Sequence, residues 1–146
     1  MMPARCPRMF TVTPSPETAV LAANRAFYDA FAGRKADDMT RIWAREHMIG
    51  CIHPGRIALH GRDAVIGSWC AILESLDAPD IQCTDATAVV VGDAAFVTCV
   101  EHIGDARLAA TNIFALERGE WRMVHHHAGP LAYAGESRRP AVSPLN

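Results

Sequence analysis

Three consecutive histidines, His125-His126-His127, end the stretch that begins at Trp121 in a chain of 146 residues. Val124 and Trp121 favour a strand here, and strand side chains alternate, so His125 and His127 share one face and His126 takes the other. Imidazole changes charge near physiological pH, so the triplet marks a polar, wet site on at least one face. His125 and His127 have the spacing of a strand metal site, which needs a third ligand. His102 on an adjoining strand is the candidate for that ligand, but a structural role for His125 and His127 at an interface is the stronger expectation. No metal and no other cofactor is expected.

Other side chains could move protons or hold a ligand. His53 ends a short apolar strand before a Pro-Gly turn. A near-neutral imidazole there suits a general base, and the competing role is to cap a backbone carbonyl. Glu101 sits within Val100-Glu101-His102, mid-strand in an apolar stretch, where a carboxylate is costly unless paired or functional. Its expected partner across the sheet is Asn112 or His126, and a Glu–His contact would hold the imidazole in one tautomer. The alternative is an internal network that only satisfies buried polar groups. Asn112 both donates and accepts, so it orients a ligand carbonyl or hydroxyl or else pairs with Glu101 alone. Phe27, Tyr28, Trp43 and Trp69 lie on apolar helix faces. They read as core that would also wall an aromatic cavity, and a buried Tyr28 hydroxyl needs a partner.

The elements that must position these groups follow from local signals. Ser15-Pro16-Glu17 is a helix start, with a Ser cap, Pro at the first position and an acid in the first turn. Leu21, Asn24, Phe27, Tyr28 and Phe31 recur at helical spacing up to Gly33. A short second helix begins at Asp37 or Asp38 and carries Met39, Ile42 and Trp43. Met48 to Ile52 is a short strand stopped by His53-Pro54-Gly55, and Ala58 to His60 is a second. A third helix runs from Gly61 to about Leu76, with Val65, Ile66, Trp69, Ile72, Leu73 and Leu76 in one stripe. Gly92-Asp93, Gly104-Asp105 and Arg118-Gly119 are turns that divide the rest into strands over 81–91, 94–103, 107–117 and 120–128. Three helices before an antiparallel meander give an α+β fold.

Residues 15–130 form the domain, flanked by loose tails over 1–14 and 131–146, the second rich in Pro, Ser and Arg. Residues 1–14 lack the apolar run of a signal peptide, and Met9 is a candidate alternative start that the sequence alone does not decide. The net charge of −2 offers no electrostatic case for nucleic acid or for an anionic membrane, and no apolar run is long enough to span a bilayer. Five cysteines, with no Cys-x-x-Cys pair, read as reduced, buried thiols of a cytoplasmic protein. The third strand carries Leu108, Ala110, Asn112, Phe114 and Leu116 on one face and Ala109, Thr111, Ile113 and Ala115 on the other. A sheet apolar on both faces needs two covers. The helices are one, and a second copy of the chain, in a homodimer through the outer face, is the other.

The ordered motifs Phe27-Tyr28-Asp29-Ala30-Phe31, Ile52-His53-Pro54-Gly55, His60-Gly61-Arg62-Asp63, Ser68-Trp69, Val91-Gly92-Asp93, Thr111-Asn112-Ile113-Phe114 and Trp121 to His127 resemble the SnoaL-like bacterial proteins of the nuclear transport factor 2-like superfamily. They are similar to the association domain of calcium/calmodulin-dependent protein kinase II. The resemblance covers residues 16–130. It implies a cone-shaped, cystatin-like roll, in which three N-terminal helices pack on a strongly curved antiparallel sheet around a pocket. It places Glu101, Asn112, His126 and Ala128 toward that pocket, with His125 and His127 outward. The kinase pocket resembles an arginine-lined anion trap. The matching positions here are Glu101, Asn112 and Ala128, which do not favour an anion. His53 falls where ketosteroid isomerases carry their carboxylate base, and Phe27 falls near their helix tyrosine, so steroid isomerisation is not expected.

Two functions follow. One is a small-molecule pocket, cofactor-independent, performing isomerase or dehydratase chemistry with His53 and Glu101 as acid and base. Phe27, Tyr28, Trp43, Trp69, Asn112 and His126 would contact its partly apolar ligand. The other is a non-catalytic association module. The first expects Glu101, Asn112, His126 and His53 around one cavity. The second expects these groups to satisfy one another with no room for ligand.

Overall fold

The computed structural model describes residues 11–132. Most of the two expected tails, together with Cys6 and Met9, lies outside them. The order of elements is α1 (Pro16–Ala32), α2 (Ala36–Ile42), β1 (Gly50–Ile52), β2 (Leu59–His60), α3 (Arg62–Glu74), β3 (Gln82–Val91), β4 (Ala94–Ile103), β5 (Ala106–Glu117) and β6 (Glu120–Pro130). Ser15 caps α1 as its sequence requires, its Oγ accepting from the Thr18 amide at 3.2 Å. Helix α2 starts at Ala36, just before the expected acids, and has no side-chain cap. Its C-terminal end lacks a glycine. The Arg62 guanidinium takes that role, donating to the carbonyls of Thr40 and Ala44, each at 2.9 Å.

The sheet has six strands in the order β2-β1-β6-β5-β4-β3 and curves without closing. The four long strands pair antiparallel as a meander. Strand β1 runs parallel to β6, so the sheet is mixed rather than wholly antiparallel. Arg118 and Gly119 both have positive φ, 49° and 79°, which fits a type I′ hairpin between β5 and β6. Helix α1 packs on β3, β4 and β6, while α3 lies against β1 and β2. The core between helices and sheet is built on Val20, Phe27, Met39, Trp43, Phe114 and Met123, all at most 1% exposed. Leu76 falls outside the expected stripe. Helix α3 ends at Glu74, Ser75 is extended, and Leu76 is 98% exposed. Cys51 and Cys99 are buried, whereas Cys70 and Cys83 are only half-buried, so the expectation of uniformly buried thiols fails there.

Strand β6 departs from simple alternation. Asn112 pairs with His126 and Ile113 with His125, but Phe114 pairs with Met123, so Val124 is an extra residue in a β-bulge. Met123 therefore turns inward together with His126, three positions away.

Candidate functional site

The geometry of the site begins with the β4–β5–β6 register. Glu101 on β4, Asn112 on β5 and His126 on β6 all point to the helix side and are at most 2% exposed. His125 is half-buried and His127 exposed on the opposite face. His102 shares that outer face and bonds Thr84 Oγ1 at 2.8 Å. Among the described residues, no group of three or more His, Cys, Asp or Glu side chains is placed to hold a metal ion.

Behind the sheet side chains lies a hydrogen-bonded network. Asn112 Nδ2 donates to Asn24 Oδ1 at 2.7 Å and to the Tyr28 hydroxyl at 3.2 Å. Tyr28 donates to Glu101 Oε1 at 2.8 Å and lies 3.3 Å from Cys99 Sγ. His126 Nδ1 is 2.6 Å from Asn112 Oδ1, and its Nε2 is 3.8 Å from Glu101 Oε1. Burial raises Glu101 above the usual carboxylate value, against the opposing hydrogen bond from Tyr28. Burial also pushes His126 down to about 3, helped by the charges of His53, His125 and His127. Burial, then Glu101, raise the Tyr28 phenol. His126 and Tyr28 are thereby held in their uncharged forms, and Glu101 is shifted toward its own.

In front of this network a cavity of about 730 Å³ opens between α3 and the sheet. Its polar lining is His53, Arg56, Ser68, Glu101 and His126. Its walls include Phe31, Trp69, Ile57, Ile72, Ile81 and Ile103. His53 sits at the end of β1, with Nε2 2.6 Å from Ser68 Oγ on α3. Burial, then the neighbouring Arg56 charge, hold the His53 imidazole below its ordinary value. Trp69 separates the two inner imidazoles, its ring centroid 4.7 Å from that of His53 and 5.3 Å from that of His126. Cys51 lies beside His53, but burial pushes its thiol up to about 12, far from a reactive thiolate. Two smaller hollows beside α2 are lined by Lys35, Asp38 and Arg41 and bring none of the candidate groups together.

Of the side chains singled out from sequence, His53, Glu101, Trp69 and His126 meet at one cavity. Phe27, Tyr28, Trp43 and Asn112 do not line it. Phe27 packs behind Trp69 and His126, with ring centroids 5.2 Å from each. Trp43 is fully buried, and Tyr28 and Asn112 support the floor from behind. The two expected arrangements are thus combined, because a polar network satisfies Asn112 while a cavity remains in front of it. Asn112 does not pair with Glu101; Tyr28 stands between them. Sequence reading missed Ser68, Arg56 and the roles of Asn24 and Cys99. A signal for Asn24 was present, since it is the polar member of the otherwise apolar stripe of α1.

The family model of the SnoaL-like domain matches residues 20–133. The crystal structure of a candidate dehydratase of the nuclear transport factor 2 (NTF2)-like family from Streptomyces avermitilis is 28% identical, with a TM-score of 0.74 over 80% of this chain and 96% of that one. That of a candidate calcium/calmodulin-dependent protein kinase type II association domain from Thiobacillus denitrificans is 36% identical, with a TM-score of 0.66 over 83% of this chain and 98% of that one. Among curated proteins, the F-box protein SKIP8 of Arabidopsis thaliana is 28% identical over 115 residues, 77% of this chain. The match spans only 50% of that relative's length.

Proposed function

The chain belongs to the SnoaL-like family, and on that premise we propose that its cavity binds a partly apolar small molecule and moves a proton on it without a cofactor, in isomerase or dehydratase chemistry. The observation that carries this reading is that His53 and Glu101 line one cavity, the first held below and the second above its ordinary proton affinity. Each shift acts toward the neutral form, a free base facing an acid of raised proton affinity, which is the pairing that proton transfer needs. In a dehydration, His53 takes a proton from carbon. The electron pair forms the double bond, the neighbouring C–O bond breaks, and Glu101 supplies the proton with which the hydroxyl leaves as water. In an isomerisation, the abstracted proton returns at a second carbon. The similar candidate dehydratase from Streptomyces avermitilis supports this reading.

The test is proton exchange in heavy water. A panel of β-hydroxy ketones and enones is incubated with the protein and followed by NMR. Deuterium uptake or loss of water above the buffer rate, abolished in folded His53→Ala and Glu101→Gln variants, is the expected result. Rates equal to buffer across the panel overturn the enzymatic reading.

A second reading is favoured by the outer sheet face. Val89 pairs with Phe96, and Val91 lies two residues on. They are 41%, 38% and 66% exposed. Homodimerisation through this face would cover them, in keeping with the similar candidate association domain from Thiobacillus denitrificans. Binding and association are compatible, since they use opposite faces of one sheet. No described helix is long and apolar enough to cross a membrane. The four free thiols of the described residues suit the reducing cytoplasm as the place of action.

A further inference from the structure

The floor of the cavity has a fixed hydrogen-bond polarity. An amide nitrogen has two hydrogens, and Asn112 places them on Asn24 Oδ1 and the Tyr28 oxygen. Its Oδ1 can only accept, so His126 carries its hydrogen on Nδ1, 2.6 Å away. His126 Nε2 is then a bare lone pair. The Tyr28 oxygen already accepts from Asn112, so its own hydrogen goes to Glu101 Oε1 at 2.8 Å, a stronger acceptor than the Cys99 sulfur at 3.3 Å. His126 Nε2 and Glu101 Oε1 are 3.8 Å apart, too far to satisfy each other. The floor thus presents an uncharged acceptor, His126 Nε2, that no neighbouring side chain satisfies.

Among the described residues nothing cationic balances a negative group there. Arg56 is the one cationic side chain that these residues give the lining, and it lies exposed on the β1–β2 turn at the rim. The walls are the apolar surfaces of Phe31, Trp69, Ile72, Ile81 and Ile103.

We propose that the cavity selects an uncharged, largely apolar alcohol or phenol, inserted hydroxyl first, whose O–H donates to His126 Nε2. The proposal rests on the small-molecule reading of this cavity and specifies its ligand class. Asn112 is the positioning residue: it touches no ligand and sets the tautomer of the imidazole that does. An ether of the same shape lacks the hydrogen for Nε2. A carboxylate brings a charge to a floor with no counter-charge among the described residues, where desolvation is unfavourable.

The test compares 2-naphthol, 2-methoxynaphthalene and 2-naphthoate by titration calorimetry, alongside 15N NMR of the His126 ring. The naphthol should bind about tenfold or more tightly than either analogue. His126→Phe, which keeps an aromatic ring against Phe27 and Trp69, should abolish the preference for naphthol over its ether. Nε2 should resonate in the unprotonated range and Nδ1 in the protonated range, and this needs no variant to fold. Equal binding of all three probes overturns the inference while leaving the cavity reading intact. No binding of any of them overturns the cavity reading itself. A ring protonated on Nε2 overturns the role given to Asn112.

Discussion

His53 Nε2 lies 2.6 Å from Ser68 Oγ, a bond that ties the turn after β1 to the middle of α3 across the cavity. The bond fixes the ring of the candidate base without using a charged partner. A serine hydroxyl serves either tautomer, so it orients the imidazole and leaves its protonation to burial and to Arg56.

The Arg56 charge is the lesser of the two influences that lower the His53 pKa, after burial. Arg56→Ala should therefore move the His53 titration upward in NMR while leaving it below the free imidazole value. An unchanged titration would show that the exposed guanidinium is screened at this distance.

His126 makes the fold sensitive to acid. Its folded pKa is depressed to about 3, whereas the unfolded ring titrates near 6.5. Below about pH 6.5 the unfolded chain gains a proton that the folded chain refuses, so stability falls with pH until both forms are protonated near 3. The slope for this one proton is about 1.4 kcal/mol per pH unit. Urea unfolding between pH 7 and 5 should show the loss, and His126→Phe should flatten it relative to the parent. Parallel curves for the two proteins would reject the assignment to His126.

Glu117 holds the loop after α2. Its carboxylate accepts from the backbone N–H groups of Arg45 and Glu46, at 3.1 and 3.0 Å, and from His47 Nδ1 at 3.0 Å. Burial acts to raise its pKa, but these donors outweigh burial and hold it below the usual carboxylate value. The stability it contributes is present above the unfolded carboxylate pKa and is lost as pH falls through the lower, folded one. Glu117→Ala should cost about 1–3 kcal/mol at pH 7, and much less near pH 3, by chemical denaturation. A cost independent of pH would mean that packing, not charge, is what the residue supplies.

Phe96 tests the outer face. A Phe96→Glu substitution places a charge beside Val89 and Ile113, its neighbours on β3 and β5. The parent should sediment as a dimer and the variant as a monomer, with folding stability changed by no more than about 0.5 kcal/mol. A monomeric parent, or a variant that stays dimeric, removes this face as the interface.

Much of the architecture was legible because its signals are local. Ser15-Pro16 starts α1, and the three two-residue turns bound the long strands where the sequence places them. The pairing of β1 with β6 was not legible. Nothing in Gly50-Cys51-Ile52 states that its partner lies more than seventy residues away and runs parallel. Within the site, His53, Glu101 and His126 stood out as polar groups in apolar segments. Asn112 stood out equally, yet it supports the floor from behind, because sequence gives the face of a strand but not the depth of a side chain beneath it. Ser68 stood in a motif of the resemblance but gave no sign of a role, since a serine on a helix is ordinary until a histidine from another element arrives beside it.

The bulge at Val124 and the triplet that follows it have a joint effect on tolerance to error. Sliding β6 by one residue in either direction would exchange the two faces of the strand, but it would bring His125 or His127 opposite Asn112 in place of His126. The imidazole at the cavity floor is thus encoded three times in succession, while the amide that orients it is encoded once. A misregistered chain keeps the functional group and loses the surrounding packing. Strand slippage during folding, or a one-residue insertion or deletion in the β5–β6 turn, would leave a damaged protein whose site still holds its histidine.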